Sequence, residues 1–409
     1  MLYQLHEIQR SILHPISRLA GAGSEIYTNP YSPLAYMPFS KRLAATFDLV
    51  HRIGKEYQKP VFDIGHTVIN GQEVAITEQT VLEKPFCKLL HFARQFPDGH
   101  PRPADPKILL VAPLSGHHAT LLRDTVRTLV SDHEVYITDW IDARMVPLSD
   151  GAFHLDDYVD YIKEFIAVLS PDLNVMSVCQ PTVPVLAAVS LMASEGHPAV
   201  PRTIIMMGGP IDTRKSPTSV NDLATKKPYQ WFENHVIYTV PSKYPGYLRK
   251  VYPGFLQHAG FVAMNPDRHL TSHYDYYLQL IKGDGESADS HRAFYDEYNA
   301  VLDLAAEFYL DTIRVVFQEH ALPRGTWTVR GRPVRPQDIT RTALLTVEGE
   351  LDDISGAGQT QAAHDLCTGI PAHRQEDVVV PKAGHYGIFS GRRWREQVAP
   401  KIAEFIRRH

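Results

Sequence analysis

Residues 173–193 read LNVMSVCQPTVPVLAAVSLMA, and this stretch decides the fold. Leu173–Val178 is a short apolar run typical of a buried strand, and Val183–Ala193 is apolar and alanine-rich, as in a buried helix. Cys179 lies at the junction between the two. A buried strand that leads directly into a helix is typical of a parallel sheet covered by helices.

The same alternation extends in both directions along the chain. The other predicted strands are Lys107–Pro113, His133–Thr138, Arg202–Met207, Thr342–Val347 and Glu376–Val380. The other predicted helices of this alternation are Ala119–Val130, Leu155–Leu169 and Trp394–Ile406. Short apolar strands between helices predict an α/β fold with a mostly parallel central sheet and helices on both faces.

Two regions depart from this alternation. Residues 1–70 read as helices interrupted by TNPYSPLAYMP, which holds three prolines. Residues 210–335 are rich in Tyr, Pro and His, with helical pieces such as His291–Phe317, and are predicted to form a large cap insertion. The predicted division is an N-terminal helical region packed on the core (1–70), a first core part (71–209), the cap (210–335) and a second core part (336–409).

Composition excludes several classes of protein. The chain has 409 residues, 44% of them hydrophobic, and a formal charge of −5, which excludes a disordered chain and gives no basic excess for nucleic acid. No apolar run reaches the roughly 18 residues that a membrane span needs. Three scattered cysteines and the absence of a secretory leader predict a cytoplasmic protein with reduced thiols. The neighbouring His117 and His118 are a weak metal motif, so neither metal nor cofactor is expected.

Three reactive side chains follow predicted strands. Cys179 follows LNVMSV, Asp352 follows TALLTVEGEL, and His385 lies in PKAGHYG after EDVVV. Ligands of such sheets bind beyond the carboxyl ends of the strands, so these side chains are candidates for one site. Their order along the chain, nucleophile then acid then histidine, is that of α/β-hydrolases. Each has a structural explanation on its own, and Asp353 is an alternative acid.

The position of Cys179 favours a nucleophile. A helix N-terminus and a neighbouring histidine both stabilise thiolate, the form that attacks a carbonyl carbon. The N–H of Gln180, directly after the nucleophile, is a natural donor to an oxyanion. Pro181 has no N–H, so a second donor must come from the loop after KILLVA, where Leu114 is the best choice.

The segment SVCQP at 177–181 departs from the Gly-x-Ser-x-Gly motif of these enzymes. Ser177 and Pro181 stand at the glycine positions, and Cys179 stands for serine. Serine is small enough for a tight turn, and proline suits a first helical turn. Pro184 is harder to place, because proline deep in a helix removes a hydrogen bond.

Three segments together resemble the intracellular poly(3-hydroxybutyrate) depolymerases that use a cysteine nucleophile. They are SVCQPTVPVLAAVSLMA, LTVEGELDDISGAGQT and PKAGHYGIFSGRRWREQV, and the likeness extends over nearly the whole chain. The resemblance implies an α/β-hydrolase fold with Cys179 as nucleophile, His385 as base and Asp352 as its orienting acid. It also implies the substrate and partner, an amorphous storage polyester at the surface of cytoplasmic granules.

Other functions remain open on the sequence. Polyhydroxyalkanoate synthases also use Cys, Asp and His, but their cysteine is flanked by glycines, so Ser177 and Pro181 favour the depolymerase. A short-chain ester or thioester hydrolase and a non-catalytic granule-surface protein are further alternatives. The oligomeric state, and whether water or coenzyme A accepts the acyl group, are not predicted.

Overall fold

The computed structural model describes residues 2–96, 104–264 and 266–409. Fourteen strands lie in these ranges, and nine of them form one sheet. The strands are β1 (His66–Ile69), β2 (Gln72–Lys84), β3 (Cys87–Gln95), β4 (Lys107–Val111), β5 (Glu134–Trp140), β6 (Leu173–Val178), β7 (Thr203–Met207), β8 (Tyr238–Thr239), β9 (Lys250–Tyr252), β10 (Leu304–Ala305), β11 (Thr328–Val329), β12 (Arg332–Pro333), β13 (Ala343–Gly349) and β14 (Gln375–Val380).

The central sheet has the strand order β1-β2-β3-β5-β4-β6-β7-β13-β14. Strand β2 is antiparallel to both of its neighbours, β1 and β3, and β3 is antiparallel to β5. From β5 to β14 every neighbouring pair is parallel. A mostly parallel sheet that begins with an antiparallel ribbon is the arrangement of the α/β-hydrolases, so the predicted fold class is confirmed.

Helices cover this sheet and fill the insertion. They are α1 (Leu2–Thr28), α2 (Ser40–Gly54), α3 (Arg123–Leu129), α4 (Leu155–Leu169), α5 (Thr182–Ser194), α6 (Ser219–Lys226), α7 (Tyr229–His235), α8 (Gly254–Met264), α9 (Pro266–Lys282), α10 (Gly285–Tyr298), α11 (Ala306–Thr312), α12 (Ala363–Leu366), α13 (Gly391–Arg393) and α14 (Ala399–Arg408). In the described part of the chain, none of them combines the length and the apolar character that crossing a bilayer requires.

Strand β4 marks the point where the strand order reverses. The chain moves from β4 to β5 on one side and then to β6 on the other. Parallel sheets open a crevice at such a point, beyond the carboxyl ends of the strands. Val111 of β4 pairs in register with Ser177 of β6, so the loops after these strands leave the sheet side by side. This places Leu114 and Cys179 on the same edge.

Several elements agree closely with the sequence. The predicted helix Leu155–Leu169 and strand Leu173–Val178 have the same bounds in the structure, and α5 extends its prediction by one residue at each end. Pro184 is the third residue of α5. Its missing N–H therefore falls in the first turn, where an N–H has no partner within the helix.

Other elements differ from their predictions. Residues 66–95 form the antiparallel ribbon β1–β3, for which no strands were predicted. The sequence around Cys87 is interpreted as helical, and this prediction is wrong because Cys87 begins β3. The helix predicted over His291–Phe317 is broken, because α10 ends at Tyr298 and α11 begins at Ala306. Between them β10 pairs with β9, which removes those residues from any helix.

The insertion shares its hydrophobic core with the sheet. Phe308 of α11 stacks on Tyr158 of α4 with ring centroids 5.5 Å apart, and Tyr158 stacks on Trp140 at 4.2 Å. The indole N–H of Trp140 donates to the carbonyl of Ala112, just after β4, at 2.8 Å. One core cluster therefore includes both regions. The division into four parts stays a prediction.

A buried ionic network joins α1, the insertion and the core. Tyr3 donates to Asp303 Oδ2 at 2.6 Å, and the N–H of Gly254 donates to Asp303 Oδ1 at 2.8 Å. Asp142, after β5, accepts from the N–H of Asp303 and forms an ion pair with Arg144 at 2.9 Å. Burial and the charge of Asp303 raise the pKa of Asp142 to about 7, although Arg144 opposes this. Three segments distant in sequence meet in this network.

We predict that Asp303→Ala lowers the free energy of unfolding by about 3 kcal/mol, because it leaves the buried Tyr3 hydroxyl and the Gly254 N–H without their partner. Urea unfolding measures the change. Asp365→Ala is the control, since Asp365 forms only an exposed pair with Lys215 and should cost below about 1 kcal/mol. Equal losses in the two variants would contradict the anchoring role of the network.

Candidate active site

Cys179 lies on a sharp turn between β6 and α5. Its φ of 68° is in the left-handed region, which non-glycine residues rarely adopt. Its N–H donates to the carbonyl of Met207 at 2.7 Å, so the end of the neighbouring strand β7 holds the turn. The residue is only half-buried. Backbone strain of this kind persists where the surroundings enforce it, and it often occurs at active sites.

The sequence permits this turn without the usual glycines. Ser177 is buried, and its hydroxyl donates to the carbonyl of Ile205 at 3.3 Å, so it is accommodated within the sheet. The small residue that the turn requires is instead Gly209, where a Cβ atom would lie 1.9 Å from Thr182 Oγ1. A glycine next to β7 thus provides the space for the start of α5.

His385 and Asp352 form a buried pair. His385 Nδ1 lies 2.7 Å from Asp352 Oδ2, and the two side chains are 5% and 1% exposed. The other carboxylate oxygen of Asp352 accepts from the N–H groups of Ile354 and Ser355, each at 2.9 Å. The structure therefore brings Asp352 next to the histidine, while Asp353 is exposed. A carboxylate held in this way fixes the orientation of the imidazole ring.

The third predicted residue joins this pair. Cys179 lies close enough to His385 to affect its pKa. Burial alone would lower the pKa of His385, but negative charge on Cys179, the hydrogen bond to Asp352 and the charge of Asp352 together raise it to about 10. The arrangement favours an imidazolium at His385, beside the sulfur of Cys179.

Two backbone N–H groups are available on the loops beside Cys179. Gln180 and Leu114 are both buried, and among the described residues neither N–H donates a hydrogen bond to the protein. Within the same residues, Gln180 Oε1 and Thr182 Oγ1 are buried without a partner. Buried polar groups are nearly always paired, so unpaired ones beside a thiol indicate a site that binds a polar ligand.

Gly208 is a site residue that sequence reasoning missed. It follows β7 directly with a φ of 55°, and a Cβ atom there would lie 3.2 Å from His385 Cε1 and 3.3 Å from Asp352 Oδ2. It would also lie 2.9 Å from Ile388 Cδ1. Only glycine lets the end of β7 approach the pair so closely. The signal in the sequence was the end of the strand alternation at this residue.

The remaining polar candidates have structural surroundings. Cys87 and Cys367 are buried, and burial raises the pKa of both thiols, that of Cys367 to about 12. His117 bonds the Tyr298 carbonyl at 3.2 Å, and burial lowers its pKa to about 4. Within the residues that the structure describes, no three His, Cys, Asp or Glu side chains form a group that could hold a metal ion.

Comparison with known families gives a match for the C-terminal part of the chain. Residues 208–409 match the family model described as PHB de-polymerase C-terminus, where PHB is poly(3-hydroxybutyrate). These residues belong to the PHB depolymerase family. The matched region includes Asp352 and His385, whereas Cys179 precedes it. The PHB depolymerase C-terminus domain and the α/β-hydrolase fold together indicate that the chain is an ester hydrolase. No curated protein sequence matches the chain.

Solved structures resemble the chain at low identity. 2-Hydroxy-6-oxo-6-phenylhexa-2,4-dienoate hydrolase of Rhodococcus sp. strain RHA1 is 13% identical, with a TM-score of 0.42, covering 82% of this chain and 99% of that one. Monoacylglycerol lipase of Paleococcus ferrophilus is 12% identical, with a TM-score of 0.42, covering 74% of this chain and 95% of that one. An α/β-hydrolase fold protein of Nakamurella multipartita is 14% identical, with a TM-score of 0.41, covering 81% of this chain and 99% of that one.

We predict that Gly208→Ala lowers the rate of ester hydrolysis by about a hundredfold, because the added methyl group pushes His385 and Asp352 apart, and small misplacements are costly in catalysis. Gly196→Ala is the matched control, since Gly196 has a similar φ of 64° but no atom within 4 Å of its added Cβ. Steady-state hydrolysis of a soluble ester by folded variants measures both. Equal rates in the two variants would contradict the close fit around the pair.

Proposed function

We propose that the protein hydrolyses poly(3-hydroxybutyrate) to 3-hydroxybutyrate oligomers and monomer through Cys179, His385 and Asp352. The observation that carries the proposal is the buried His385–Asp352 pair, 2.7 Å apart, in contact with a thiol on a strained turn. The depolymerase family of residues 208–409 supports the choice of polyester over other esters. We place the enzyme in the cytoplasm at the surface of storage granules.

The first step is attack by the thiolate. Cys179 Sγ forms a bond to the carbonyl carbon of a backbone ester, and the carbonyl oxygen becomes an oxyanion. The N–H groups of Gln180 and Leu114 are the proposed donors to this oxyanion, and loss of one such donor typically costs about a hundredfold in rate. The tetrahedral intermediate then expels the alkoxide of the next monomer, which takes a proton from the His385 imidazolium.

The second step releases the acid. The now neutral His385 accepts a proton from a water molecule, which attacks the thioester carbonyl as hydroxide. Collapse of this intermediate breaks the carbon–sulfur bond, frees the carboxylic acid end of the chain and returns the thiolate beside the imidazolium. Asp352 keeps the ring in one tautomer and stabilises its charge in both steps.

We predict that Cys179→Ala releases no 3-hydroxybutyrate from amorphous polyester granules, since no other thiol can take its place. Iodoacetamide should inactivate the wild type with one label per chain, on Cys179, because Cys87 and Cys367 are buried. Mass spectrometry locates the label. Release by the alanine variant near the wild-type rate would refute the nucleophile. Polymer growth from 3-hydroxybutyryl-coenzyme A without any release would instead favour a synthase.

We predict a basic limb near pH 10 in the profile of kcat/KM for a soluble 3-hydroxybutyrate oligomer. The active pair needs the imidazolium, whose pKa is about 10, so activity persists below that pH and falls above it. Asp352→Asn removes a group that stabilises the imidazolium, and the limb should move to lower pH with a lower maximal rate. Asp353→Asn is the control and should leave the profile unchanged. A larger effect from Asp353 would move the acid role to that residue.

A further inference from the structure

Helix α1 carries a stripe of large apolar side chains that face solvent. The stripe consists of Leu5, Ile8, Ile12, Ile16 and Leu19, which are 55%, 56%, 63%, 51% and 74% exposed. Spacings of three and four residues place them on one face of the helix. Surface helices usually turn such a stripe toward the core, so its exposure here requires an explanation.

The other side of α1 makes the contact with the protein. Ser17 and Ala20 are buried there, and a Cβ atom added to Gly21 would lie 3.0 Å from His51 of α2. A Cβ atom added to Gly54 of α2 would lie 2.9 Å from that of Ser17. The two helices therefore approach through small residues. Because the packing uses this side, the stripe is left without a partner within the described chain.

The charge of α1 argues against an anionic partner. The helix contains Arg10 and Arg18 against Glu7 and Glu25, so its formal charge is 2 − 2 = 0, and the stripe itself contains no ionised residue. Helices that lie on anionic membranes carry an excess of Lys and Arg around the apolar face. An uncharged surface therefore complements α1 better than an anionic membrane does.

The size of the stripe argues against a stable dimer built on it. The stripe spans residues 5–19 of α1, about 22 Å of helix, and at a width of about 10 Å it offers about 220 Å². Stable protein interfaces bury about 800 Å² on each partner. A long and narrow apolar ridge suits an extended surface better than a second copy of the chain.

An apolar cavity of about 1000 Å³ lies on the adjoining face of α1. Leu13 of α1, Ile53 of α2 and Tyr274 of α9 line it. So does Val301, which pairs with His117 in an isolated bridge. His117 belongs to the loop that contains Leu114, the proposed oxyanion donor. The cavity thus reaches a residue that pairs with this loop.

We propose that the stripe Leu5, Ile8, Ile12, Ile16 and Leu19 is an interfacial binding surface that seats the enzyme on uncharged polyester. This inference rests on the proposed function for the identity of its ligand. The ester chain is apolar and carries no charge, which matches both the side chains and the neutrality of α1. The adjoining cavity offers a chain segment further contact area beside the stripe.

The test uses Ile12→Lys together with Leu19→Lys. Both side chains are exposed, so the variant should fold, which circular dichroism and thermal unfolding verify. We expect co-sedimentation with amorphous poly(3-hydroxybutyrate) particles to weaken at least about tenfold, because two charges must be desolvated on the apolar particle. Hydrolysis of a soluble oligomer should keep its kcat/KM, since the stripe lies outside the active site.

Val168→Lys together with Val379→Lys is the matched control. These side chains are 50% and 52% exposed on α4 and β14, away from α1, and the control should bind particles like the wild type. Equal binding by the stripe variant and the control would overturn the inference. So would a dimer of the wild type that the stripe variant loses in sedimentation velocity, or tighter wild-type binding to phosphatidylglycerol vesicles than to polyester.

Binding and hydrolysis are measured separately in this design. If the wild type binds the particles through the stripe but releases no 3-hydroxybutyrate, the proposed function fails and the binding surface stands. If soluble oligomers and particles are both hydrolysed and the stripe variant is as active on particles as the control, the binding surface fails and the proposed function stands.

Discussion

The hydrogen bond from the N–H of Cys179 to the carbonyl of Met207 holds the proposed nucleophile against the neighbouring strand. It holds a non-glycine residue at a φ of 68°, and this conformation lifts the sulfur above the end of β6. Other features depend on the same geometry. Gly208 and Gly209 must lack side chains because β7 ends directly beneath the histidine pair and the start of α5. The precision of the site therefore comes from the packing of two parallel strands.

The protonation states in the site follow from a balance between burial and charge. Burial alone would keep His385 neutral. The charge of Cys179 and the carboxylate of Asp352, itself held by two backbone N–H groups, offset this cost for the imidazolium. In the proposed mechanism the ring of His385 acts first as acid and then as base.

The sequence predicted the parts of this molecule whose signals are local. The β6–α5 junction, helix α4 and the chain order of Cys179, Asp352 and His385 depend on apolar runs and on the residues that follow them, and these can be recognised without tertiary contacts. The ribbon β1–β3 could not be predicted from the sequence, because β1 and β2 are largely exposed and show no continuous apolar run. The role of Gly208 was equally hidden, since it depends on how close β7 lies to residues more than a hundred positions later. The unusual orientation of α1 follows from contacts with α2 through small residues, which its own pattern does not reveal.

Cys179 and His385 are separated by 385 − 179 = 206 residues, with the entire insertion between them. Contacts of such long range form late, because chain entropy opposes them until the intervening segments have folded. During synthesis the strand–turn–helix around Cys179 emerges well before β14 and the loop that contains His385. Until that loop docks, Cys179 lacks the His385 side chain that the proposed mechanism requires. The proposed site is therefore complete only when the last strand joins the sheet.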